Sequence, residues 1–388
     1  MARGSIQARP STDGKRTNYR VRWETRGPDG QRKHHSKTFR KKKDAEDYLT
    51  DIQKEVNDGT HVTPSKETVA AYLDRWVAAS APGWAEATLG QYRSIIRARI
   101  APEIGEIPLA QLGAITVQTY YAALTARYAP ATVRGTHAVL DAALARAVTW
   151  RLIARNPADD ATLPAIPRPA PTVWTSDESA DFLTATKDHR FGPLWRLALD
   201  SGMRIGELLA LTWRDVDLTT ATVTVRRTLT RDANARLKLG EIPKTRASRR
   251  SIIIGPASVA ALRSYRAKQA QRRLLLGQAW PTHNLVFDRG DGLPMDPNVV
   301  RSSFRRALAR NSTLPEITLH GLRHTMATLM MAAGVNPKIV QERLGHASIQ
   351  MTLDRYSHVT ITMQSDAAAL LDVLLGGDAR PKRGHGAS

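Results

Sequence analysis

The sequence predicts a multidomain chain that is mainly α-helical, with smaller α+β parts. Three observations support this fold class: short alternating strands near the N-terminus, an Ala-rich helical stretch over residues 66–162, and mixed helical and alternating segments over residues 172–376. The linkers 63–65 and 163–171 separate these parts, and the second has four prolines in LPAIPRPAP. A length of 388 residues fits two or three domains.

The sequence pattern of residues 1–62 predicts a small basic β-hairpin or sheet followed by a helix. Tyr19 to Glu24 alternates like a strand, a Gly-Pro-Asp-Gly turn follows, and Gln31 to Phe39 returns as a second strand. Lys41 to Asn57 has the apolar spacing of a helix. The candidate nucleic-acid contacts on these strands are Arg20, Arg22 and Lys33. A basic sheet can equally be a solvated face, so charge alone leaves both interpretations open.

Residues 66–162 predict a compact helical bundle. Its helices are expected at Val69 to Ala79, Ala87 to Arg99, Thr116 to Thr125 and Thr132 to Trp150, each bounded by Pro, Gly or Thr. Candidate phosphate contacts are Arg93, Arg97 and Arg134. The competing interpretation is plain solvated surface, which is common for arginines on amphipathic helices.

Residues 172–376 predict a mixed α/β part. Thr175 or Ser176 is expected to cap its first helix, and Phe191 to Leu199 to form the next. Ala221 to Arg227 and Arg249 to Ile254 are expected to pair as strands. Further helices are predicted at Ser258 to Arg273, Val299 to Arg310 and Met363 to Leu375, and residues 377–388 are expected to be disordered.

The stretch from Thr318 to His358 gathers the most reactive side chains. Apolar spacing predicts a helix that Gly334 ends, Asn336 and Pro337 open a second helix that Gly345 closes, and Ser348 starts a third. His320 and Arg323 lie three residues apart at the start of the first helix, His346 follows the second, and Tyr356 lies in the third. These are three groups able to bind or protonate a phosphate and one hydroxyl nucleophile.

Other interpretations of this stretch compete. A single His or Tyr is more often a surface or packing residue. His320 and His324 have the i, i+4 spacing of a zinc site, but Gly321 stands where that motif needs a glutamate, so no metal is expected. The segment Ala327 to Leu344 could also be a helix-turn-helix reader of DNA, which would leave Tyr356 without a role.

The composition narrows the class of partner and compartment. A net charge of +21 and a pI near 10.6 fit a polyanionic partner, most simply nucleic-acid phosphates. The absence of cysteine excludes disulfides, thiol catalysis and cysteine-ligated metals. Neither a long apolar run nor an apolar signal-peptide core is present, so we expect a soluble, cytoplasmic protein.

Three boxes in order resemble the tyrosine recombinase (phage integrase) family. HGLRHTMATLMMAAG followed by LGHASIQMTLDRYSH is similar to its C-terminal signature. SGMRIGELLALTWRDVD is similar to its upstream arginine box and supplies Arg204 and Glu207. Between them the family has a lysine on a β-hairpin, and IPKTRASRRSIII offers Lys244. The resemblance covers about the last 200 residues, and the basic hairpin and helix resemble the arm module of phage-like integrases.

The resemblance implies a domain order and a set of roles. The domains would be an arm-type DNA-binding module (1–62), a helical core-binding (SAM-like) domain (66–162) and a catalytic domain (172–376). Tyr356 would form a 3'-phosphotyrosine with DNA, without any cofactor. The remaining roles fall to Arg204 and Arg323 on the phosphate, His320 as base, Lys244 as acid, His346 as hydrogen-bond donor, and Glu207 and Asp215 as orienting groups.

The implied assembly is a homotetramer on two duplexes, working through a Holliday junction. The family expectation includes core and arm sites on double-stranded DNA, a directionality factor, a host DNA-bending protein and association with the nucleoid. The biological role would be integration of a phage or other mobile element. Two alternatives remain open from the residues: a non-enzymatic DNA-binding regulator, and a type IB topoisomerase-like enzyme that acts without pairing two sites.

Overall fold

The computed structural model describes residues 4–10, 17–26, 32–57, 66–166, 172–241 and 249–350, with 368, 371, 372 and 375. The chain separates into two compact units, Met1–Arg168 and Pro169–Ser388. Lys244, Tyr356, nearly all of the predicted helix from Met363 and the tail 377–388 lie outside the described residues. In the part that is described, no helix is both long and apolar enough to cross a membrane.

The first unit begins with a three-stranded antiparallel sheet and one helix. The strands are β1 (Gly4–Pro10), β2 (Thr17–Arg26) and β3 (Arg32–Phe39), in that order, and α1 (Lys42–Asn57) follows. Val21 and Trp23 of β2 are buried against α1, whereas Arg22 between them is exposed, as strand alternation requires. The two predicted strands and the helix are confirmed, and β1 was not foreseen.

A helical bundle with its own apolar core completes the first unit. Its helices are α2 (Val69–Ser80), α3 (Glu86–Ile95), α4 (Ala101–Ile104), α5 (Ala114–Arg127) and α6 (Pro130–Thr149). The predicted helix Ala87 to Arg99 is interrupted, because residues Ile96–Ile100 form a π-helical turn between α3 and α4. Trp76 stacks on Tyr92 with ring centroids 5.8 Å apart, and Trp84 packs edge-on against both rings.

The second unit is mixed, with helices around two small sheets. Its first elements are α7 (Ser176–Ala185), α8 (Gly192–Ser201), α9 (Ile205–Leu209), β4 (Val216–Asp217), β5 (Thr222–Val225), β6 (Arg227–Arg231), β7 (Leu237–Glu241) and β8 (Arg250–Ile253). Helices α10 (Pro256–Leu276), α11 (Pro297–Ala309), α12 (Gly321–Ala332) and α13 (Pro337–Leu344) follow. One sheet has the order β4–β5–β8, and β6 and β7 form a separate hairpin.

Most local predictions for the second unit are confirmed. Thr175 caps α7 in a capping box with Glu178, and β8 pairs with β5 as expected. Asn336 caps α13 through its side chain, and Gly345 ends that helix in the left-handed conformation. Strand β7 was missed. Its signal was the Asp232 turn, in which the carboxylate accepts from the backbone N–H groups of Asn234 and Arg236.

The first residues of the second unit are fixed to α12. The backbone N–H of Trp174 donates to Thr325 Oγ1 at 3.1 Å, and its indole N–H donates to the carbonyl of Pro315 at 2.9 Å. Its ring is buried beside Phe182 and Phe304 in the core. The chain that follows the proline-rich linker therefore begins against the helix that carries Arg323.

Candidate active site

Arg204 stands at a tight turn between α8 and α9. Gly202 ends α8 with a φ of 64°, and a Cβ there would lie 2.0 Å from Met326 Cε. Arg204 then opens α9, and its backbone N–H and Nη1 donate to the Glu207 carboxylate at 2.9 and 3.1 Å. Its side chain keeps 46% of its surface exposed. The Arg204 guanidinium is thus fixed by Glu207 and remains accessible to solvent.

The Glu207 carboxylate is buried and binds two arginines. Arg250 Nη1 and Nη2 donate to its two oxygens at 3.2 and 2.8 Å, so each oxygen accepts from both Arg204 and Arg250. Burial alone would raise the pKa of Glu207, but the hydrogen bond and charge of Arg250, followed by Arg204, hold the pKa below its ordinary value of 4.5. Glu207 is therefore an anionic anchor for Arg204.

Arg323 joins three segments of the unit. It is 3% exposed, on the first turn of α12, where Nη1 donates to the carbonyl of Gly202 at 2.5 Å and Nη2 to that of Leu344 at 2.8 Å. Gly202 precedes Arg204 by two residues, and Leu344 precedes His346 by two. The buried guanidinium therefore ties the Arg204 turn, α12 and the end of α13 together.

The two predicted histidines, His320 and His346, lie next to the segments that Arg323 joins. His320 is exposed just before α12, with its ring 4.9 Å from that of His324 in an edge-to-face arrangement. His346 is half-buried in the turn after Gly345, where its backbone N–H donates to the carbonyl of Gln341 and its own carbonyl accepts from Gln341 Nε2. Both histidines therefore lie on segments that Arg323 connects through its backbone or guanidinium.

Asp215 binds neighbours within its own segment. Its Oδ2 accepts from Thr212 Oγ1 at 2.6 Å and from Arg227 Nη2 at 3.2 Å, and Arg226 Nε lies 3.6 Å from Oδ1. These contacts brace the turn before β4. The structure places Glu207, rather than Asp215, in contact with Arg204.

The predicted acid and nucleophile, Lys244 and Tyr356, lie outside the described residues. Strand β7 ends at Glu241, three residues before Lys244. Gln350 is helical, but residues 351–356 lie outside the described part, so the third helix that would carry Tyr356 stays a prediction. The roles of Lys244 and Tyr356 remain predictions from the sequence.

The candidate DNA contacts of the first unit differ in their surroundings. Arg22 is exposed, and Arg20 on the same face donates to Ser36 Oγ at 2.8 Å, while the backbone of Lys33 in β3 pairs with Thr25. Arg93 and Arg97 are exposed and line a cleft beside α2. Arg134 donates from Nε to the carbonyl of Pro164 at 2.8 Å, so it also holds the start of the linker.

Sequence reasoning missed two arginines near the centre. Arg250 is 7% exposed, and its Nε also donates to the carbonyl of Arg343 at 2.8 Å. The Arg343 guanidinium in turn donates to Asp200 Oδ1 at 3.0 Å and to the carbonyl of Ile253 at 2.9 Å. The available signal for Arg250 was a charged residue at the start of a short apolar strand, RSIII.

Comparison with known proteins agrees with this organisation. Family models match residues 174–363 (Phage integrase family), 68–125 (Phage integrase, N-terminal SAM-like domain) and 11–56 (Arm DNA-binding domain). The chain is 30% identical over 308 residues to a tyrosine recombinase XerC from Mycobacterium sp. (strain JLS), covering 76% of this chain and 95% of that protein. The chain belongs to the tyrosine recombinase (phage integrase) family. As a member of that family, it is a site-specific DNA recombinase that transfers DNA strands.

Two integrases resemble most of the chain. An integrase from Streptomyces ambofaciens is 26% identical over 352 residues, covering 87% of this chain and 89% of that protein. The solved structure of the Tn1549 transposon integrase, in complex with transposon right end DNA, superposes with a TM-score of 0.65 at 23% identity, covering 80% of this chain and 99% of that one. The structural likeness supports the multidomain fold, mainly α with α+β parts.

Proposed function

We propose that this recombinase integrates a mobile element by cleaving and rejoining DNA through Tyr356. The observation that carries the site assignment is the buried Arg323 guanidinium, which binds the backbone two residues before Arg204 and two residues before His346. Three separate parts of the sequence, each of which carries a predicted site residue, are thereby joined. Such a cluster of cationic and hydrogen-bonding groups suits a phosphodiester.

Two arginines suit the transition state of this reaction. The oxygens of a DNA phosphodiester are already anionic, and attack at phosphorus concentrates further charge on them. A guanidinium presents a planar fork to two oxygens and stays charged at every working pH. Arg204, held by Glu207, and Arg323 are assigned to the two non-bridging oxygens, and His346 donates a further hydrogen bond there. Asp215 supports the fold around them.

The cleavage step exchanges one phosphoester for another. The Tyr356 oxygen attacks phosphorus while His320 accepts the phenolic proton, since a phenol has a reference pKa of about 10. The bond to the 5'-oxygen breaks, and Lys244 gives that oxygen a proton. The products are a 3'-phosphotyrosine and a 5'-hydroxyl. Attack by another strand's 5'-hydroxyl reverses the step, so the reaction needs neither ATP nor a metal ion.

The assembly follows from the number of strands. Two duplexes have four strands to exchange, so four copies of the chain act together on a Holliday junction. Residues 1–62 bind arm sites, residues 66–162 the core site, and residues 172–376 carry the chemistry, with 377–388 as a tail. A directionality factor and a host DNA-bending protein assist, and the protein works in the cytoplasm on nucleoid DNA.

The decisive experiment looks for the covalent intermediate. The full chain is incubated with nicked duplexes carrying its attachment site, and denaturing gels are used to detect a protein–DNA adduct. We expect an adduct that Tyr356→Phe abolishes and that Tyr128→Phe, at an exposed tyrosine of the bundle, leaves unchanged. Tight binding without an adduct would favour the regulator, and relaxation of supercoils without site pairing would favour a topoisomerase.

A further inference from the structure

Arg250 occupies a central position that none of the proposed chemical roles uses. It lies in β8 opposite Val225, with its side chain 7% exposed. Three of its nitrogens donate hydrogen bonds: Nη1 and Nη2 to the two oxygens of Glu207, and Nε to the carbonyl of Arg343. One rigid guanidinium thus fixes a carboxylate and a helix end at once.

Each partner of Arg250 leads directly to a residue assigned to the phosphate. Glu207 accepts from the backbone and side chain of Arg204. The carbonyl of Arg343 lies at the end of α13, three residues before His346. A displacement of Arg250 would therefore move the supports of both Arg204 and His346.

A second buried arginine closes this arrangement. Arg323 binds the carbonyl of Leu344, next to the carbonyl that Arg250 binds, and also the carbonyl of Gly202. We call the closed path the hydrogen-bonded ring. Its hydrogen bonds join Arg204 to Glu207, Glu207 to Arg250, Arg250 to Arg343, and Arg323 to both Leu344 and Gly202. The backbone closes the path from Arg343 to Leu344 and from Gly202 through Met203 to Arg204.

We infer that Arg250 is a positioning residue for strand cleavage, because its guanidinium fixes the carboxylate that orients Arg204 and the helix end that precedes His346. This inference rests on the proposed function. The reaction rate depends strongly on the position of the reacting groups, since a displacement of about 1 Å can lower the rate roughly 100-fold. Lysine cannot replace arginine here, because a single ammonium does not span two carboxylate oxygens and a carbonyl.

The first measurement compares the rate of adduct formation under single-turnover conditions. Arg250→Lys keeps the charge and Arg250→Met removes it. We expect Arg250→Lys to melt at a lower temperature, because the Glu207 carboxylate and the Arg343 carbonyl lose hydrogen bonds. At a temperature where it stays folded, it should bind core-site DNA as the unaltered chain does, while its adduct forms about 100-fold more slowly. The matched control is Arg231→Met, because Arg231 also binds one carboxylate, Asp296, and one carbonyl, that of Ala235, but lies outside the ring. An unchanged rate for Arg250→Lys would overturn the inference, even if Arg250→Met fails to fold.

A second measurement separates positioning from general support of the fold. A methylphosphonate at the cleaved linkage removes the negative charge of one non-bridging oxygen, so a misplaced Arg204 costs less on this substrate. We expect the loss in the rate of adduct formation to be smaller on methylphosphonate than on the natural linkage, both for Arg204→Ala and for Arg250→Met. Lys244→Ala should stay slow on methylphosphonate, because the leaving oxygen still needs a proton. Equal losses for Arg250→Met on both substrates would show only a structural role.

A double variant gives an independent readout on the natural linkage. If Arg250 acts in part through the placement of Arg204, Arg250→Lys slows the Arg204→Lys variant by a smaller factor than it slows the unaltered chain. Multiplying losses would contradict the inference. Tyr356→Phe, run in parallel, keeps the two proposals apart: an adduct that survives this substitution refutes the proposed function, whereas an adduct that it abolishes leaves Arg250 to be judged by its own variants.

Discussion

Arg323 and Gly202 lie 121 residues apart in sequence, yet Arg323 Nη1 donates to the carbonyl of Gly202 at 2.5 Å. The hydrogen bond crosses from α12 to the turn after α8, and Met326 on α12 fills the space beside the same glycine. The Arg204 turn is therefore held by both a hydrogen bond and a packed side chain from one helix. The geometry of the site depends on this docking rather than on local sequence.

We expect Arg323→Ala to lose both cleavage and stability. It leaves the carbonyls of Gly202 and Leu344 without a buried donor, at a cost of about 1–3 kcal/mol for each unsatisfied group. Urea unfolding measures the stability, and adduct formation measures the cleavage. Arg263→Ala is the control, because Arg263 is exposed and gives one hydrogen bond to the carbonyl of Leu218. A stability change no larger than that of the control would contradict the role of Arg323 as a tie.

We expect Gly202→Ala to destabilise the second unit more than Gly334→Ala. Both glycines have positive φ, 64° and 76°, so both alanines suffer the same kind of backbone strain, about 1–2 kcal/mol. Only at Gly202 does the new methyl group meet other side chains: it would overlap the buried terminal methyl of Met326 and lie 3.2 Å from Cδ2 of the buried Leu344, whereas the space at Gly334 is open. Thermal unfolding of the two variants gives the difference. Equal losses would show that Met326 moves aside without cost.

The lowered pKa of Glu207 predicts that the free energy of unfolding falls in acid. Burial is the largest single influence on the pKa of Glu207 and raises it, but the hydrogen bonds and charges of Arg250 and Arg204 together outweigh burial and hold the pKa below 4.5 in the folded chain. The carboxylate therefore stabilises the fold at neutral pH. That contribution is complete above the unfolded pKa and is lost as pH falls below 4.5 through the folded pKa. Urea unfolding at several pH values should show this drop in the unaltered chain and a smaller drop in Glu207→Gln. An identical acid dependence in both proteins would contradict the assignment.

The N-terminal sheet predicts salt-dependent binding to arm sites. Arg20 and Arg22 share the sheet face opposite α1, and removal of one phosphate-binding cation should reduce the steepness of log K against log salt by about 0.9. We therefore expect Arg20→Ala and Arg22→Ala to weaken arm-site binding and make that slope shallower, as measured by fluorescence titration. Lys42→Ala on α1, where Lys42 pairs with Glu46, should change neither. Unchanged slopes for both sheet variants would count against this face.

Local signals in the sequence predicted most elements correctly. Thr175, Asn336 and Gly345 are cap residues whose chemistry acts within one turn, so their positions set helix ends without help from the rest of the fold. The π-helical turn at Ile96–Ile100 was not predictable in this way, since its residues have ordinary helical spacing. Strand β1 was missed because GSIQARP is short and gains its partner only from β2.

The sequence predicted those site residues that lie in local motifs and missed one whose partners are distant in sequence. Arg204, His320, Arg323 and His346 could be named from the motifs, and the structure joins their segments through Arg323. Arg250 could not be named, because its role depends on Glu207 and the end of α13, which lie 43 and 93 residues away. Asp215 was expected to orient the catalytic groups; it contacts Thr212 and Arg227, and its orienting role stays a prediction.

The anchoring of Trp174 gives the linker a mechanical meaning. Its backbone N–H donates to Thr325 and its indole N–H to the carbonyl of Pro315, so the chain that leaves the proline-rich linker is fixed beside α12, the helix that carries Arg323. A force on the linker would therefore act on α12 through the hydrogen bond between Trp174 and Thr325. The point of attachment, Thr325, lies two residues from Arg323 on the same helix.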